Sequence, residues 1–396
     1  MSTHRLAHLD VLRVLAFGLL IPYHVGMYYV GWDWHVKSPA SELAGALLEP
    51  FMLLPAPWRL SLLFFVAGAV AQGLLQRRGA AGYAGERSAR LLLPLLFGMA
   101  VVVVPQAYFE VKTKAPHLLA GGYLDFWWHY LQGGRYCRGS DCMRVPTWNH
   151  LWFLPYLWLY AMLMLPLARS LPSLRSPRWP PARALAGGTW WLLPALPLLL
   201  WRLAVMPHFP TTHDLVHDLY NHLHYGTLFL YGWLSRSDAA AGFWAQALRW
   251  RWPLLLAATL AWGLRAEVYI SVADPSPALR SGLRTLWALQ CWWGIAAACG
   301  FAQRWFPADR PAPRWLQQAA AASFCLYVLH QTVIVLLTQA LAPLAWPWPA
   351  EAAVLAVLTI ALSVAGYLLA RHVPGLRLLL GIAAPRRRLS AAPAAA

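Results

Sequence analysis

The chain alternates between long apolar stretches and short polar segments. A helix needs roughly 17–25 mainly apolar residues to cross a bilayer, and by this measure we find ten candidate spans, of which the sixth is the shortest. They cover residues 9–30, 60–76, 91–109, 148–168, 189–206, 223–235, 252–272, 283–302, 319–342 and 350–371. The pattern predicts an all-α fold, a polytopic transmembrane helical bundle with about ten spans.

Composition indicates the same class of protein. Of the 396 residues, 59% are hydrophobic and only 12% are charged, which is not typical of a soluble globular domain of this length. The sequence contains no long linker and no repeat, so residues 1–385 are expected to form a single integral-membrane domain. The basic, alanine-rich cytoplasmic tail 386–396 is expected to be disordered.

The positive charges indicate how the chain is oriented. If the N-terminus is cytoplasmic, 20 of the 32 lysines and arginines fall in inner segments, 9 in outer segments and 3 within spans. Because cytoplasmic loops are enriched in these residues, both termini are predicted to be cytoplasmic, as an even number of spans requires. This bias and the attraction to anionic lipid explain the net charge of +17. Nucleic acid is therefore not an expected partner, whereas the lipid bilayer is.

The first span contains two ionisable residues in the stretch RVLAFGLLIPYH. Arg13 and His24 are eleven positions apart, which places them on one helix face and about 16 Å apart along the axis. Such residues cost roughly 2.5–3.5 kcal/mol each inside a bilayer, so the shared face is expected to turn toward protein or water. Asp10 precedes Arg13 by three positions and is expected to pair with it. The alternative is that Arg13 and His24 reach the headgroups on opposite sides of the membrane.

Two further groups of polar residues lie on predicted helices. In SFCLYVLH, spacings of four and three place Ser323, Tyr327 and His330 on one stripe of span nine. Lipid cannot satisfy these groups, so they are expected to contact protein or line a passage. Arg87 and Arg90 in ERSAR lie three apart at a cytoplasmic helix end, where two guanidinium groups suit a phosphate. The positive-inside rule alone would also place arginines there.

Polar and aromatic residues also occur at the predicted outer ends of two spans. Span two opens with WRLSLLFFVAG, which places Arg59 at the outer mouth. Span four opens with WNHLWFL, which places Asn149, His150 and Trp152 there. These residues are candidates for contact with a substrate that approaches from outside.

Two outer segments contain features with more than one interpretation. Cys137 and Cys142 lie in the loop 110–147, where an oxidising compartment would allow a disulfide; a metal-binding pair is the alternative, but no second cysteine pair matches it. In HFPTTHDLVHDLYNHLHY, His213 and His217 could meet one metal ion if they lay on a helix. A histidine-rich segment at the membrane surface explains the same composition, so no metal is assigned to the site.

These motifs occur together in a familiar order. The chain carries Arg-x10-His in LDVLRVLAFGLLIPYH, then SLLFFVAG, Arg-x2-Arg in ERSAR, HLWFL and SFCLYVLH, and in this pattern it resembles the acyltransferase family 3 membrane proteins. The stretches IPYHVGMYY, WHVKS and WRLSLLFFVAG are similar to the branch of glucan succinyltransferases called MdoC or OpgC. The histidine-rich segment and the two-cysteine loop depart from that branch.

The resemblance implies a reaction and a role for each motif. An acyl group would pass from cytoplasmic acyl-CoA, either succinyl-CoA or acetyl-CoA, to a hydroxyl of a periplasmic or envelope glycan. His24 would be the base, because an imidazole suits proton transfer at neutral pH, with Arg13 and Asp10 beside the thioester or the CoA. Arg87 and Arg90 would bind the CoA phosphates. The stripe on span nine would line the passage or stabilise the oxyanion, and the outer-end residues of spans two and four would meet the acceptor or the acyl carboxylate.

The resemblance also implies a multi-pass protein of the bacterial inner membrane with no bound cofactor. An O-acetyltransferase of lipopolysaccharide, capsule or another envelope polysaccharide is the alternative function. A transporter is a more distant alternative, since the inverted repeats and interrupted helices common in transporters are not visible in the sequence. The oligomeric state, and the choice between a covalent acyl-enzyme and direct transfer, stay open.

Overall fold

A computed structural model describes residues 6–119, 121–139, 141–170, 185, 187–236, 240 and 242–383 of the chain. Regular structure in these residues is almost entirely helical, and the exception is one two-stranded hairpin. The predicted disordered tail 386–396 lies outside the described residues, as do both ends of the chain. The cytoplasmic location of the termini stays a prediction.

The helices and strands follow one another along the chain with short connections. The α-helices with described bounds are α1 (Ala7–Gly18), α2 (Leu20–Tyr29), α3 (Ser41–Met52), α4 (Arg59–Phe97), α5 (Val104–Lys114), α6 (Tyr123–Gln132), α7 (Phe153–Ser170), α8 (Ala195–Leu200), α9 (Leu219–Leu234), α10 (Phe243–Ser271), α11 (Pro277–Trp305), α12 (Arg314–Leu341), α13 (Trp348–Ala370) and α14 (Pro374–Leu379). The strands are β1 (Gly134–Arg138) and β2 (Asp141–Val145). Short 3-10 turns occupy Pro116–Leu118, Asn149–Trp152 and Ala342–Leu344, and π-helical turns occupy Gly98–Val102 and Trp201–Val205.

Six helical stretches of the described chain are long and apolar enough to cross a membrane. They are Ala7–Tyr29, Arg59–Val102, Asn149–Ser170, Phe243–Ser271, Arg314–Leu344 and Trp348–Ala370. The second stretch joins most of the two predicted spans 60–76 and 91–109, and Gly79, with φ of 66°, kinks it between them. The other predicted spans fall on helices that are shorter or less apolar, so the number of about ten stays a prediction.

The first stretch is divided by a proline. Pro22 has no backbone N–H to donate to the carbonyl of Gly18, and its ring clashes with a carbonyl four positions earlier in a regular helix. Accordingly α1 ends at Gly18 and α2 begins at Leu20. Arg13 therefore lies on α1 and His24 on α2.

Close packing of α4 against α9 depends on two glycines. A Cβ atom added to Gly68 would lie 1.9 Å from the carbonyl oxygen of Phe229, and one added to Gly232 would lie 1.8 Å from that of Phe65. Small residues let membrane helices approach backbone to backbone in this way. The contact brings together α4, which begins with Arg59, and α9, which carries His224.

The hairpin of β1 and β2 brings the two loop cysteines together. Cys137 and Cys142 are directly opposite in the antiparallel register, with their Cα atoms 4.0 Å apart, and a disulfide joins them. The bond closes the short turn between the two strands.

The histidine-rich segment before α9 is not helical. Asp218 is fully buried and accepts hydrogen bonds from the backbone N–H groups of Thr212 at 3.1 Å and His213 at 3.0 Å, as well as from the side chains of Tyr156 and Asn221. This carboxylate therefore holds the segment as an irregular loop, and the helix begins only at Leu219.

Because this segment is not helical, His213 and His217 do not lie one turn apart on the same helix face. The His213 ring stacks on Trp152 with centroids 4.0 Å apart, whereas His217 lies 3.0 Å from the carboxylate of Asp214. Within the part of the chain that the structure describes, no group of three or more His, Cys, Asp or Glu side chains is arranged to hold a metal. The helical metal pair considered from spacing is therefore not formed by these residues.

Candidate functional site

Two histidines from distant parts of the chain meet between α2 and α12. Nδ1 of His24 lies 2.8 Å from Nε2 of His330. His330 is almost fully buried, at 1% exposure, whereas His24 is partly exposed. The pair therefore joins a buried residue of α12 to a partly exposed residue of α2.

The hydrogen bonds define which nitrogens carry protons when both rings are neutral. Nδ1 of His330 lies 2.7 Å from the carbonyl oxygen of Tyr327, which can only accept, so His330 donates from Nδ1 and its Nε2 accepts. His24 must then donate from Nδ1. Its Nε2 keeps the free lone pair, which is what a base needs.

A third histidine packs against this pair. The ring of His150 is perpendicular to that of His330, with centroids 5.3 Å apart. Its Nε2 donates to the carbonyl of Val328 at 3.1 Å, and its Nδ1 accepts from the amide of Gln106 at 3.3 Å. We call His24, His150 and His330 the histidine cluster.

Neutral polar side chains from α5 and α12 hold the cluster in place. Gln106 is fully buried and donates to Thr332 at 2.6 Å, while its amide oxygen accepts from Gln331 and Asn149, each at 3.2 Å. All of these groups have partners, which is the condition under which a buried polar network orders its members. His150 and Asn149 are thus bound into the network at the start of α7.

The network continues into an ion-pair group outside the membrane-spanning stretches. Gln331 donates to Nε2 of His35 at 2.7 Å, and Nδ1 of His35 donates to the carboxylate of Glu110. Lys114 contacts the same carboxylate at 3.0 Å. Burial acts to raise the pKa of Glu110, but the hydrogen bonds from His35 and Lys114 and the positive charge of Lys114 outweigh it and lower that pKa to about 2. Glu110 therefore holds a negative charge at the edge of the network at any physiological pH.

Arg59 brings a buried cation to the cluster. It is 8% exposed, and its guanidinium carbon lies 3.2 Å from the centre of the Tyr23 ring, next in sequence to His24. Its Nε atom is buried and has no hydrogen-bond partner among the described residues. An anionic group beside His24 would find a ready cation there.

The three arginines of the Arg-x10-His and Arg-x2-Arg motifs line one cavity. Arg13, Arg87 and Arg90 surround it together with Phe17, Phe324 and other apolar side chains. Nε and Nη2 of Arg87 are buried and lack hydrogen-bond partners among the described residues, and Arg13 lies 3.6 Å from the carboxylate of Asp10. We call this space the arginine cavity. Its volume is about 110 Å³.

Aromatic rings separate the arginine cavity from the histidine cluster. Phe17, Phe153 and Phe324 line the cavity, and each also contacts the ring of Tyr327, at centroid distances of 5.3, 6.0 and 6.1 Å. The Tyr327 hydroxyl donates to the carbonyl of His150 at 2.7 Å. We call these four residues the aromatic collar. They form an apolar boundary with arginines on one side and histidines on the other.

Two of the residues that were selected from the sequence, Ser323 and Trp152, form their contacts outside the histidine cluster. The hydroxyl of Ser323 donates to the carbonyl of Ala320 in its own helix at 3.1 Å, which is a common arrangement for a buried serine in a helix. Trp152 is mostly buried and stacks on His213. A direct role of either residue in catalysis stays a prediction.

Sequence reasoning missed the residues that connect the cluster to its surroundings. His35, Gln106, Glu110 and Gln331 were not selected, although Gln106 and Gln331 each interrupt an apolar stretch. A buried amide in a membrane-spanning sequence needs a partner, so these two glutamines carried a usable signal. His35 and Glu110 carried none, because His35 lies in a connecting segment and Glu110 near the end of α5, and both have other polar residues beside them in the sequence.

Most of the chain matches one known protein family. Residues 6–368 match the family described as an acyltransferase domain, Acyl_transf_3. No curated protein and no solved structure matches the sequence. The family match covers most of the chain and includes the histidine cluster, the aromatic collar and the arginine cavity.

Proposed function

The chain belongs to the acyltransferase 3 family and is a membrane acyltransferase, and we propose that it transfers a succinyl group from cytoplasmic acyl-CoA to hydroxyl groups of a periplasmic glucan. The observation that carries this proposal is the hydrogen bond between His24 and His330. It leaves a basic nitrogen on a partly exposed ring, across the aromatic collar from the arginine cavity.

The chemistry assigned to His24 is general base catalysis. Nε2 of His24 takes the proton of the acceptor hydroxyl while the hydroxyl oxygen forms a bond to the thioester carbonyl carbon. The carbon–sulfur bond then breaks, and the CoA thiolate leaves and takes the proton from His24. His330 accepts a hydrogen bond from Nδ1 of His24 throughout, which stabilises the positive charge that His24 acquires.

The donor would bind with its charged end at the arginine cavity. Arg87 and Arg90 carry guanidinium groups suited to phosphates, and Arg13 lies on the same cavity wall. The phosphates would stay at the mouth, and the thioester end would extend through the apolar space toward Tyr327. Movement of the aromatic collar would then admit it to the histidine cluster.

Arg59 favours an acyl group that carries its own charge. Its buried guanidinium lies beside Tyr23 and acts electrostatically on His24, which suits the free carboxylate of a succinyl group. An acetyl group has no charge for this arginine to bind. On this ground we place succinyl before acetyl, and the corresponding location is the inner membrane, with CoA on one side and the glucan on the other.

The experiment that tests the function is a comparison of cell-envelope glycans. A strain that lacks the gene is complemented with the wild-type chain or with His24→Ala, and periplasmic glucans and surface polysaccharides are analysed by mass spectrometry. Succinyl groups on the glucan should be lost on deletion and restored by the wild-type chain alone. Loss of acetyl from another polysaccharide would contradict the succinyl proposal and support the alternative acetyltransferase.

A further inference from the structure

A second group of cationic and aromatic residues lies between α9, α11 and the π-helical turn Trp201–Val205. The guanidinium carbon of Arg202 lies 4.1 Å from the centre of the Trp287 ring, and its Nη1 donates to the hydroxyl of Tyr220 at 3.2 Å. The Tyr220 ring stacks on His224. We call Arg202, Tyr220, His224 and Trp287 the Arg202 group.

Two polar atoms of this group have unused hydrogen-bonding capacity. A guanidinium has five N–H donors, and the Nε atom of Arg202 is buried without a partner among the described residues. Nδ1 of His224 is also buried without a partner there, in a side chain that is 1% exposed. Because the Ser61 hydroxyl donates to the carbonyl of Pro57, Nε2 of His224 donates to Ser61 at 3.0 Å, and Nδ1 is left as an acceptor. Buried polar atoms normally have hydrogen bonds, so Arg202 can donate to an acceptor atom of a ligand and His224 can accept from a ligand hydroxyl.

The charge of the group is not balanced either. In the described chain, no carboxylate lies within 4.0 Å of Arg202 or of Arg265, whose Nη1 donates to the neutral amide of Gln290 at 2.6 Å. Arg202 nevertheless acts electrostatically on Arg265 and on His224. Cations that are partly removed from water and repel one another are costly unless an anion joins them.

Aromatic contacts connect the Arg202 group to the histidine cluster. His224 packs on Tyr225 with centroids 5.0 Å apart, and Tyr225 in turn interacts electrostatically with Arg59. Arg59 lies against Tyr23, the neighbour of His24. A ligand anchored at Arg202 can therefore lie along a wall of rings that ends at the proposed base.

We propose that the Arg202 group binds an anionic group, a carboxylate or a phosphate, carried by the acceptor or by a lipid headgroup. The Arg202 guanidinium supplies the charge-assisted hydrogen bonds to the anion, and Tyr220 and Trp287 orient it. Nδ1 of His224 does not bind the anion but can accept from a hydroxyl of the same ligand. The acceptor as the source of the anion rests on the proposed function, whereas the binding site itself does not.

The proposal is tested by phosphate binding to the full chain in a neutral detergent. The Arg87→Gln, Arg90→Gln background removes the other arginine pair that could bind phosphate. Sodium phosphate, compared with sodium chloride at matched ionic strength, should raise the melting temperature in this background. Adding Arg202→Gln should weaken the apparent phosphate affinity at least about tenfold, since it removes a charge-assisted hydrogen bond to the phosphate.

Matched variants separate binding from a general effect of charge or folding. Arg280→Gln removes the same charge from an exposed arginine paired with Asp274 and should leave phosphate binding unchanged. Tyr220→Phe keeps the charge of Arg202 but removes the hydrogen bond that orients it, so it should weaken binding to a smaller extent. Equal phosphate affinity with and without Arg202→Gln, or no effect of phosphate at all, would overturn the proposal. Both results are independent of acyl transfer.

Lipid nanodiscs distinguish the two sources of the anion. The phosphate titration is repeated in discs of zwitterionic phosphatidylcholine and in discs of anionic phosphatidylglycerol. A phosphate effect that persists in both supports a soluble acceptor with an acidic group. An effect present in phosphatidylcholine and absent in phosphatidylglycerol supports occupation by a lipid headgroup.

Discussion

His24 and His330 are 306 positions apart in the sequence, yet Nδ1 of the first lies 2.8 Å from Nε2 of the second. Because His330 uses its own Nδ1 on the carbonyl of Tyr327, the contact fixes the tautomer of both rings. In the proposed mechanism His330 is therefore a positioning residue that acts through His24, and this role can be separated from that of a residue that only lines the proposed passage.

The first prediction concerns the side chain at position 330. His330→Ala removes the acceptor for His24 Nδ1 and should lower acyl transfer about 10- to 100-fold, which is the effect of losing one charge-assisted hydrogen bond. His330→Gln can still place an amide oxygen near His24 and should keep most of the activity. The measurement is the transfer rate at saturating acyl-CoA, with His129→Ala on α6 as the control. Equal losses in the Ala and Gln variants would rule out the positioning role.

The second prediction concerns donor binding. Arg87→Gln combined with Arg90→Gln should raise the KM for acyl-CoA at least about tenfold, because each guanidinium offers charge-assisted hydrogen bonds to phosphate. The effect on kcat should be smaller, since the histidine cluster lies beyond the aromatic collar. Arg77→Gln combined with Arg310→Gln removes the same charge from exposed positions and is the matched control. If both double variants have the same KM, Arg87 and Arg90 serve topology alone.

The third prediction concerns the contact of α4 with α9. Gly68→Ala would place a methyl group 1.9 Å from the Phe229 carbonyl oxygen, and the required separation of the helices should cost roughly 1–3 kcal/mol or more. Gly73→Ala on the same helix meets no atom within 4 Å and should be neutral or slightly stabilising. Melting temperatures in detergent compare the two, and a Gly68→Ala protein as stable as Gly73→Ala would show that the helices are not in close contact.

The fourth prediction concerns pH. The folded-state pKa of Glu110, about 2, lies below its ordinary value of 4.5, so its contribution to stability is present above pH 4.5 and is lost as the pH falls toward 2. The shift corresponds to about 3 kcal/mol. Glu110→Gln should therefore be less stable than wild type at pH 7, and the difference should shrink below pH 4.5. Exposed Glu42→Gln is the control, and a stability gap that does not depend on pH would show that the charge of Glu110 is not responsible.

The sequence identified the polar side chains that need a partner, but it did not identify the residues that they contact. Arg13, Arg87 and Arg90 were selected from two motifs, and the structure places all three around one cavity. His24 and His330 were each selected as polar residues on an apolar helix. Their contact was not predictable, because periodicity indicates which face of a helix is polar but not which helix packs against it.

Local structure was least predictable where one buried side chain determines it. The i, i+4 spacing of His213 and His217 fits a helix, but Asp218 draws the N–H groups of Thr212 and His213 to its carboxylate instead. Spans two and three were separated by the polar residues after position 76, and Gly79, whose backbone is not helical, kinks α4 between them. A buried carboxylate thus outweighs the helical spacing of the histidines, whereas the glycine interrupts the helix where the sequence pattern does.

We propose that the histidine cluster joins a donor from one side of the membrane to an acceptor from the other. The most direct test of this proposal uses sealed proteoliposomes of known orientation, with acyl-CoA and the glycan acceptor added to opposite sides and the His24→Ala protein as the blank. Transfer should occur only when acyl-CoA faces the side of Arg87 and Arg90 and the acceptor faces the hairpin that contains Cys137 and Cys142. Product formed at the same rate with both substrates on the hairpin side alone would contradict the account.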